Sequence, residues 1–302
     1  MIYITIVSVI AALAFFIRFI FMKKEMTSIT RQLKQYNNRT TEKKIDLAFY
    51  DKHLEALAAE INRQSDLVTE ANARRRRTED ELRQAVSNMS HDIRTPLTSI
   101  FGYIQLLEAE ELTMEEKKEY LSVIRNRTKR LQELLNDFFE LSLIESVDYP
   151  LRLERLKMTN AVSEILIGFY DRFNEQGIKT AIHLPDEEIV IIADDSAVKR
   201  VIENLLLNAV VHSSGSVSVH LEKRHSTAVL TVSNEAKHVT EYNLGMLFDR
   251  FYKADRARSG KGTGLGLSIA KSLMLKMDGK LSAELKAGRL HMKCEWKLST
   301  AV

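Results

Sequence analysis

The opening run of this chain, "MIYITIVSVIAALAFFIRFIFMKK", restricts what it can fold into more than any other feature. Ile2 to Met22 is apolar except for small hydroxyls and Arg18. A helix of about 20 apolar residues crosses a bilayer, and a helix apolar on every face has no stable surface in water. Arg18 lies close to Lys23 and can snorkel to the same interface. No basic residue precedes the run and no small-residue cleavage pattern closes it, so it reads as an anchor and not as a cleaved signal peptide. The basic flank follows the run. That places the bulk of the chain in the cytoplasm, held in the cell membrane by a single pass, with almost nothing outside.

The remaining length, out of 302 residues, suffices for two or three folded units. Lys and Arg number 44 against 41 Asp and Glu, a net charge of +3, which gives no electrostatic case for direct nucleic-acid binding. The single cysteine, Cys294, excludes an internal disulfide framework and reads as a small apolar filler of a strand.

Residues 23–36 read as helix, and "NNRTTEKKIDLAFYD" as a connector. From Leu54 a heptad-like seam runs through Leu57, Ile61, Val68, Ala71, Leu82, Ala85 and Met89, which predicts a coiled coil and therefore a dimer. The run "RRRR", Arg74 to Arg77, spreads over all faces of a helix and reads as solvated surface. After Met89 the seam continues through Ile93, Leu97, Ile100, Ile104 and Leu107 with a stutter, a local unwinding. The helix is expected to end near Glu110. Thr113 with Glu116 then makes a capping box that opens a second amphipathic helix carrying Leu121, Ile124, Leu131, Leu134, Leu135, Phe138 and Leu141. Two such helices form an antiparallel hairpin, and two hairpins make a four-helix bundle.

From about Asp148 the pattern becomes mixed α/β. Strands are expected at 151–156, 179–184, 189–193, 217–223, 228–233, 280–285 and 292–298. Helices are expected at 160–176, from a cap at Asp195 to about His212, and after the glycines near residue 265. The long connection 234–263 is of a length that serves function. Strands and helices that do not alternate strictly predict an α/β sandwich with helices on one face. The fold class is thus multidomain: a transmembrane helix over 1–22, a connector and coiled-coil signalling helix over 23–79, a dimerisation and histidine-bearing hairpin over 80–147, and an α/β domain over 148–302.

"VSNMSHDIRTPLTSI" places His91 about 200° around the helix from both Met89 and Ile93, so it faces solvent. Asp92 can hold a proton on one ring nitrogen and leave the other as a nucleophile. Thr95, one turn on, is placed to position a water. Pro96 removes the N–H that would bond the Asp92 carbonyl and bends the helix just after the histidine.

"SHDIRTPL" resembles the phosphoacceptor box of bacterial sensor histidine kinases, the class with an acid beside the histidine and a threonine three further on. The resemblance implies that His91 takes the γ-phosphoryl group of ATP and passes it to an aspartate of a response regulator. It also implies that Asp92 acts as general base and that Thr95 serves the reverse dephosphorylation of the regulator.

The C-terminal half is similar to the ATP-binding domain of the same family. In "ENLLLNAVVHS", Asn204 and Asn208 lie at i and i+4 on one helix face. The resemblance assigns the Asn208 oxygen to Mg²⁺, with Asn204 assisting, while Val211 and His212 stand where relatives often have Lys and Tyr. "LFDRFYKADRARSGKGTGLGLSIAK" resembles the lid and second glycine box almost throughout. It implies phosphate binding by Gly262, Gly264 and Gly266 at a helix N-terminus, phosphate contacts from Lys253 and Arg258, and a lid anchored by Phe248 and Phe251. The departure is the first glycine box: "VSNEAKHV" puts Asn234, Ala236 and His238 where the family has Asp, Gly and Gly. Asn234 can still accept a hydrogen bond from adenine, without charge assistance, and ATP binding is expected to be weakened but present.

The chain is therefore expected to be a homodimeric, membrane-anchored histidine kinase using ATP and Mg²⁺, with a phosphatase activity toward its regulator. That regulator is cytoplasmic, with the winged-helix DNA-binding class as a candidate, and a membrane partner such as a transporter would deliver the stimulus. The alternatives are a scaffold with a degenerate ATP site and an ATPase of the gyrase or heat-shock chaperone kind. The phosphoacceptor hairpin counts against the second.

Overall fold

The computed structural model describes residues 2–38, 43–48, 51–108, 112–146, 148–213, 215–236, 239–253 and 262–299. The chain divides into two compact units, one up to Gln84 and one from Ala85 onward, and each is described by itself.

In the first unit, α1 spans Ile2–Asn37 as one continuous helix, so the expected polar helix is its extension. Its apolar part is exposed on all faces, and α1 is long and apolar enough to cross a membrane. The long helix α2, Lys52–Leu107, begins in this unit. A small cluster joins Ile29 of α1, Ile45 of the connector and Leu54 and Ala58 of α2, with Leu33 and Ile61 packed against it. Leu54 and Ile61 of the expected seam pack in this cluster with α1 of the same chain, whereas Leu57 and Val68 are exposed. The Arg18 guanidinium lies 3.0 Å from Asp51, a carboxylate that meets its charge. The arginine run is solvated, with Arg74 on Glu70 and Arg75 on Glu79 one turn away.

The second unit contains the rest of α2, which runs through Pro96, and α3, Met114–Glu145. The expected capping box is present: the Glu116 N–H donates to Thr113 Oγ1 at 3.2 Å, and Thr113 N–H donates to Glu116 at 2.9 Å. Met89, Ile93, Leu134, Phe138 and Leu141 pack into one apolar cluster that continues into the α/β part. Leu97, Phe101 and Ile104 on α2 and Leu121, Phe139 and Leu143 on α3 stay exposed.

The α/β part follows in chain order: β1 Glu154–Lys157, α4 Met158–Glu175, β2 Lys179–His183, β3 Val190–Ala193, α5 Asp195–His212, β4 Ser216–Arg224, β5 Thr227–Glu235, α6 Gly266–Lys276, β6 Lys280–Lys286 and β7 Arg289–Lys297. Two short 3₁₀ turns, Glu241–Asn243 and Gly245–Phe248, lie in the long connection. The main sheet has the order β2-β4-β5-β7-β6, parallel only between β2 and β4, and β1 pairs with β3 separately. Burial alternates along β4 and β7, where Val217, Val219, Leu221, Met292, Cys294 and Trp296 face inward. That period-two pattern is what a sheet covered on one face requires. Helices α4, α5 and α6 supply the cover, so the α/β sandwich holds. Cys294 is fully buried, and burial pushes its thiol pKa up, as befits a filler.

One cap moves by a residue. Asp194, not Asp195, is the N-cap of α5: its Oδ1 accepts from Ala197 N–H at 2.9 Å and its Oδ2 from Arg152 N–H at 2.8 Å. The second bond, to a distant segment, fixes the register where two adjacent aspartates compete for it.

Candidate active site

The exposed end of the site is local. His91 projects from α2 with its side chain 75 % exposed, and its Nδ1 lies 3.3 Å from Asp92 Oδ1. Nε2 has no hydrogen-bond partner among the described residues. The arrangement is the one the sequence suggested, a carboxylate on one ring nitrogen and the other turned outward. Thr95 differs in part. Its Oγ1 donates to the His91 carbonyl at 3.2 Å, a back-bond within the helix, which leaves only its lone pairs for a water.

Asp92 has a second partner. Its Oδ2 accepts from Lys253 Nζ at 2.7 Å, across 161 positions of sequence. Burial raises the Asp92 carboxyl pKa, but the hydrogen bonds and charges of Lys253 and His91 outweigh it and hold the group below the ordinary carboxylate range. Lys253 was expected on phosphate; here it faces the histidine's acid, because Phe251 and Gly264 bring the base of the lid against α2. Phe251 is buried, in the left-handed region at φ 61°, and its N–H donates to Gly264 O at 2.9 Å. Gly264 has φ 77°, and a Cβ there would lie 3.0 Å from Phe251 Cα, so only glycine allows this approach. Phe248 is partly buried against the core, with Lys271 5.5 Å above its ring.

Behind Lys253 lies a cavity of about 470 Å³, walled by α5, the ends of β5 and β7, the start of α6 and one face of α3. Asn204, Asn208, Asn234, Lys253, Gly262, Gly264 and Gly266 all line it. Sequence positions separated by more than sixty residues thus meet, as the resemblance implied. Asn204 is buried, and its Nδ2 has no partner among the described residues. Gly266 is needed beside it, because a Cβ there would stand 2.9 Å from Asn204 Oδ1. The N-terminus of α6 has no side chain capping it in the usual way; Thr263 Oγ1 accepts from Leu265 N–H at 3.3 Å. Free helix N–H groups beside an open cavity suit an anion.

At the far end, Asn234 is 1 % exposed, and its Nδ2 donates to Glu235 O at 3.0 Å. That bond orients the amide and leaves Oδ1 to accept. Ala236 also lines the cavity and has no positive φ, so replacing glycine there costs no backbone strain. Arg258 and His238 lie outside the described residues.

Sequence reasoning missed the wall contributed by α3. Asp137 and Glu133 line the cavity. Thr263 Oγ1 donates to Asp137 at 2.7 Å, while Arg200 of α5 reaches Glu140 at 2.8 Å and Asp137 at 3.2 Å. Burial pushes the Asp137 carboxyl pKa up, against the pull of Thr263 and Arg200. Arg250 pairs with Glu145 at 2.7 Å, and Lys276 donates to Ser146 O at 2.7 Å. Acids on a polar helix face carry no mark of such partners in the sequence.

The geometry agrees with what known proteins show. Residues 81–147 match the His Kinase A (phospho-acceptor) domain, and residues 193–298 match the histidine kinase-, DNA gyrase B- and HSP90-like ATPase domain. The chain is 30 % identical over 278 residues to the sensor histidine kinase YcbM of Bacillus subtilis (strain 168), covering 89 % of each protein. It is 31 % identical to sensor histidine kinase WalK of the same organism over 70 % of this chain but only 36 % of WalK. Among solved structures, histidine kinase ThkA in complex with response regulator protein TrrA aligns with a TM-score of 0.62 at 21 % identity, over 76 % of this chain and 66 % of that one, a likeness of fold. With a histidine paired to an acid on a helical hairpin, an ATPase-type cavity beside it and a relative matched over nearly its whole length, this chain belongs to the sensor histidine kinases of two-component signalling.

Proposed function

We propose that this protein, anchored in the cell membrane by α1, autophosphorylates His91 from Mg-ATP held in the cavity and passes the group to an aspartate of a response regulator. The observation that carries the residue assignment is the bridge His91–Asp92–Lys253: one carboxylate touches the exposed imidazole and a lysine of the cavity wall. Nε2 attacks the γ-phosphorus in line. An N–P bond forms, the bond from phosphorus to the bridging oxygen breaks, ADP leaves, and the Nδ1 proton passes to Asp92. Most of the acceleration comes from positioning and charge neutralisation.

Asn234 Oδ1 would accept from the adenine amino group. Gly262, Gly264, Gly266 and the α6 N-terminus would hold phosphate, with Lys253 and Arg258 as lid cations. Among the described residues no cluster of three His, Cys, Asp or Glu could hold a metal alone. Magnesium nevertheless fits, because it takes few protein ligands and completes its shell with phosphate and water. Asn208 would supply an oxygen, and the buried Nδ2 of Asn204 would find an acceptor in the nucleotide. The ion would neutralise phosphate charge.

The exposed apolar residues of α2 and α3 support a homodimer in which a second hairpin covers them. The ThkA–TrrA complex supports a response regulator as partner. Thr95 is proposed for dephosphorylation of that regulator. The regulator's winged-helix class, a membrane partner such as a transporter, and the division at 22, 79 and 147 rest on the sequence reading.

The test is incubation of the full-length protein with γ-labelled ATP and Mg²⁺. Acid-labile, alkali-stable label is expected on the wild type and none on His91→Gln. Label retained in that variant would refute the assignment, and no label on the wild type would favour a scaffold.

A further inference from the structure

We infer that Arg172, on the last turn of α4, is a nucleotide-binding residue that grips the polyphosphate from the wall opposite the lid. This rests on reading the cavity as the ATP site. A triphosphate brings several negative charges into a cavity whose α3 wall already carries the carboxylates Glu133 and Asp137. Two lysine or arginine side chains line that cavity among the described residues, Lys253 and Arg172. Lys253 is engaged by Asp92 at 2.7 Å. Arg172 has no carboxylate within ion-pair distance among the described residues.

Its position is constrained in another way. The guanidinium carbon stands 5.1 Å from the centroid of the Phe169 ring, one turn back on α4, and Phe169 is itself buried in the core. Stacking on a fixed ring limits the rotamers of a long side chain, so less freedom is lost when an anion binds. Helix α4 packs along α5, whose residues Asn208 and Val211 line the same cavity. Val211 presents hydrocarbon there, so the phosphate end of α5 offers an amide and no strong cation. Arg172 fills that electrostatic gap from the adjacent helix. A guanidinium also matches phosphate oxygens with two parallel hydrogen bonds, which suits it to the phosphates and not to the base.

Binding of ATP, ADP and adenosine to the full-length protein in nanodiscs, measured by calorimetry, tests this. Arg172→Gln is expected to weaken ATP about tenfold, the loss of one charged hydrogen-bonding partner, to weaken ADP less, and to leave adenosine unchanged. Arg172→Lys should recover part of the loss. Val211→Lys should raise ATP affinity more in the Arg172→Gln background than in the otherwise wild-type chain, because the two cations serve the same phosphates; an equal gain in both backgrounds would overturn the inference. Equal ATP affinity in the wild type and Arg172→Gln would overturn the inference and leave the ATP site standing. So would a loss equal for adenosine and ATP, which would mark damaged packing. A wild type that binds no adenine nucleotide would overturn the reading beneath it, and the inference with it.

Discussion

The hairpin and the α/β domain solve the problem of building a site in opposite ways. On the hairpin, His91, Asp92 and Thr95 lie within one turn or so of a single helix, and helical geometry alone brings them together. The cavity of the α/β domain draws on α3, α4, α5, β5, the lid, α6 and β7, segments far apart in sequence that only the tertiary fold brings together. A local site tolerates a loosened fold; an assembled one depends on close approach at particular points. The hairpin should therefore keep its chemistry under changes that destroy the cavity.

The strongest way to break this contrast is Asn208→Ala. Removing an oxygen that would serve the metal-phosphate group should lower autophosphorylation by about tenfold to a hundredfold. The variant's hairpin should still accept phosphate in reverse from a phosphorylated regulator. Loss of that back-transfer as well would show that the two regions are not separable. Gly266→Ala comes next. Its Cβ would meet Asn204 Oδ1 at 2.9 Å, so either the Asn204 amide turns away from its place in the cavity wall or α5 and α6 part. Nucleotide affinity should fall by roughly tenfold, since overpacking costs on the order of 1–3 kcal/mol. Unchanged affinity would mean the wall is softer than an assembled site allows.

Asn234→Asp sharpens the comparison in the other direction. An ionised acceptor makes a hydrogen bond about twice as strong as a neutral one, so ATP should bind several-fold tighter. A weaker complex would show that the Glu235 carbonyl, which now accepts from the amide, repels the new carboxylate more than adenine gains.

The smallest effect concerns pH and tests the bond that ties the histidine's acid on the hairpin to the lid lysine of the α/β domain. Asp92 has its pKa lowered in the folded protein, with Lys253 the leading favourable cause. A depressed carboxylate stabilises the folded arrangement at pH above its ordinary value, and that contribution is lost as pH falls through the lowered one. Lys253→Gln should move the Asp92 midpoint upward, and only modestly, because the pair is partly exposed and screened. Carbon-detected NMR of the labelled side chain reads it. A midpoint that does not move would mean that Lys253 and Asp92 do not pair in solution.

Much of the fold could be read from residue order. The Thr113 and Glu116 capping box, the strands of the sheet, the outward face of His91 and the glycine-rich start of α6 all follow from local chemistry, and the structure contains each of them. An error arose where two local solutions were nearly equal: Asp194 and Asp195 are both competent caps, and a bond from Arg152, a residue of another segment, decides between them. Nor did residue order show that Leu54 and Ile61 would pack on α1 of the same chain, a contact between faces distant in sequence.

What the sequence determined by itself was the chemistry on offer: an apolar helix suited to a bilayer, an imidazole beside a carboxylate, paired asparagines, and glycines where an anion can approach. Those are properties of residue type and short-range spacing, and they survive being read one after another. Tertiary structure alone decided that Lys253 would face Asp92, that α3 would wall the cavity with Asp137 and Glu133, and that Arg172 would line it without an ion-pair partner among the described residues. Each of these depends on which distant segments the buried faces of helix and sheet bring within a few ångströms, and apolar burial specifies how faces pack without marking which polar residues at their edges will meet.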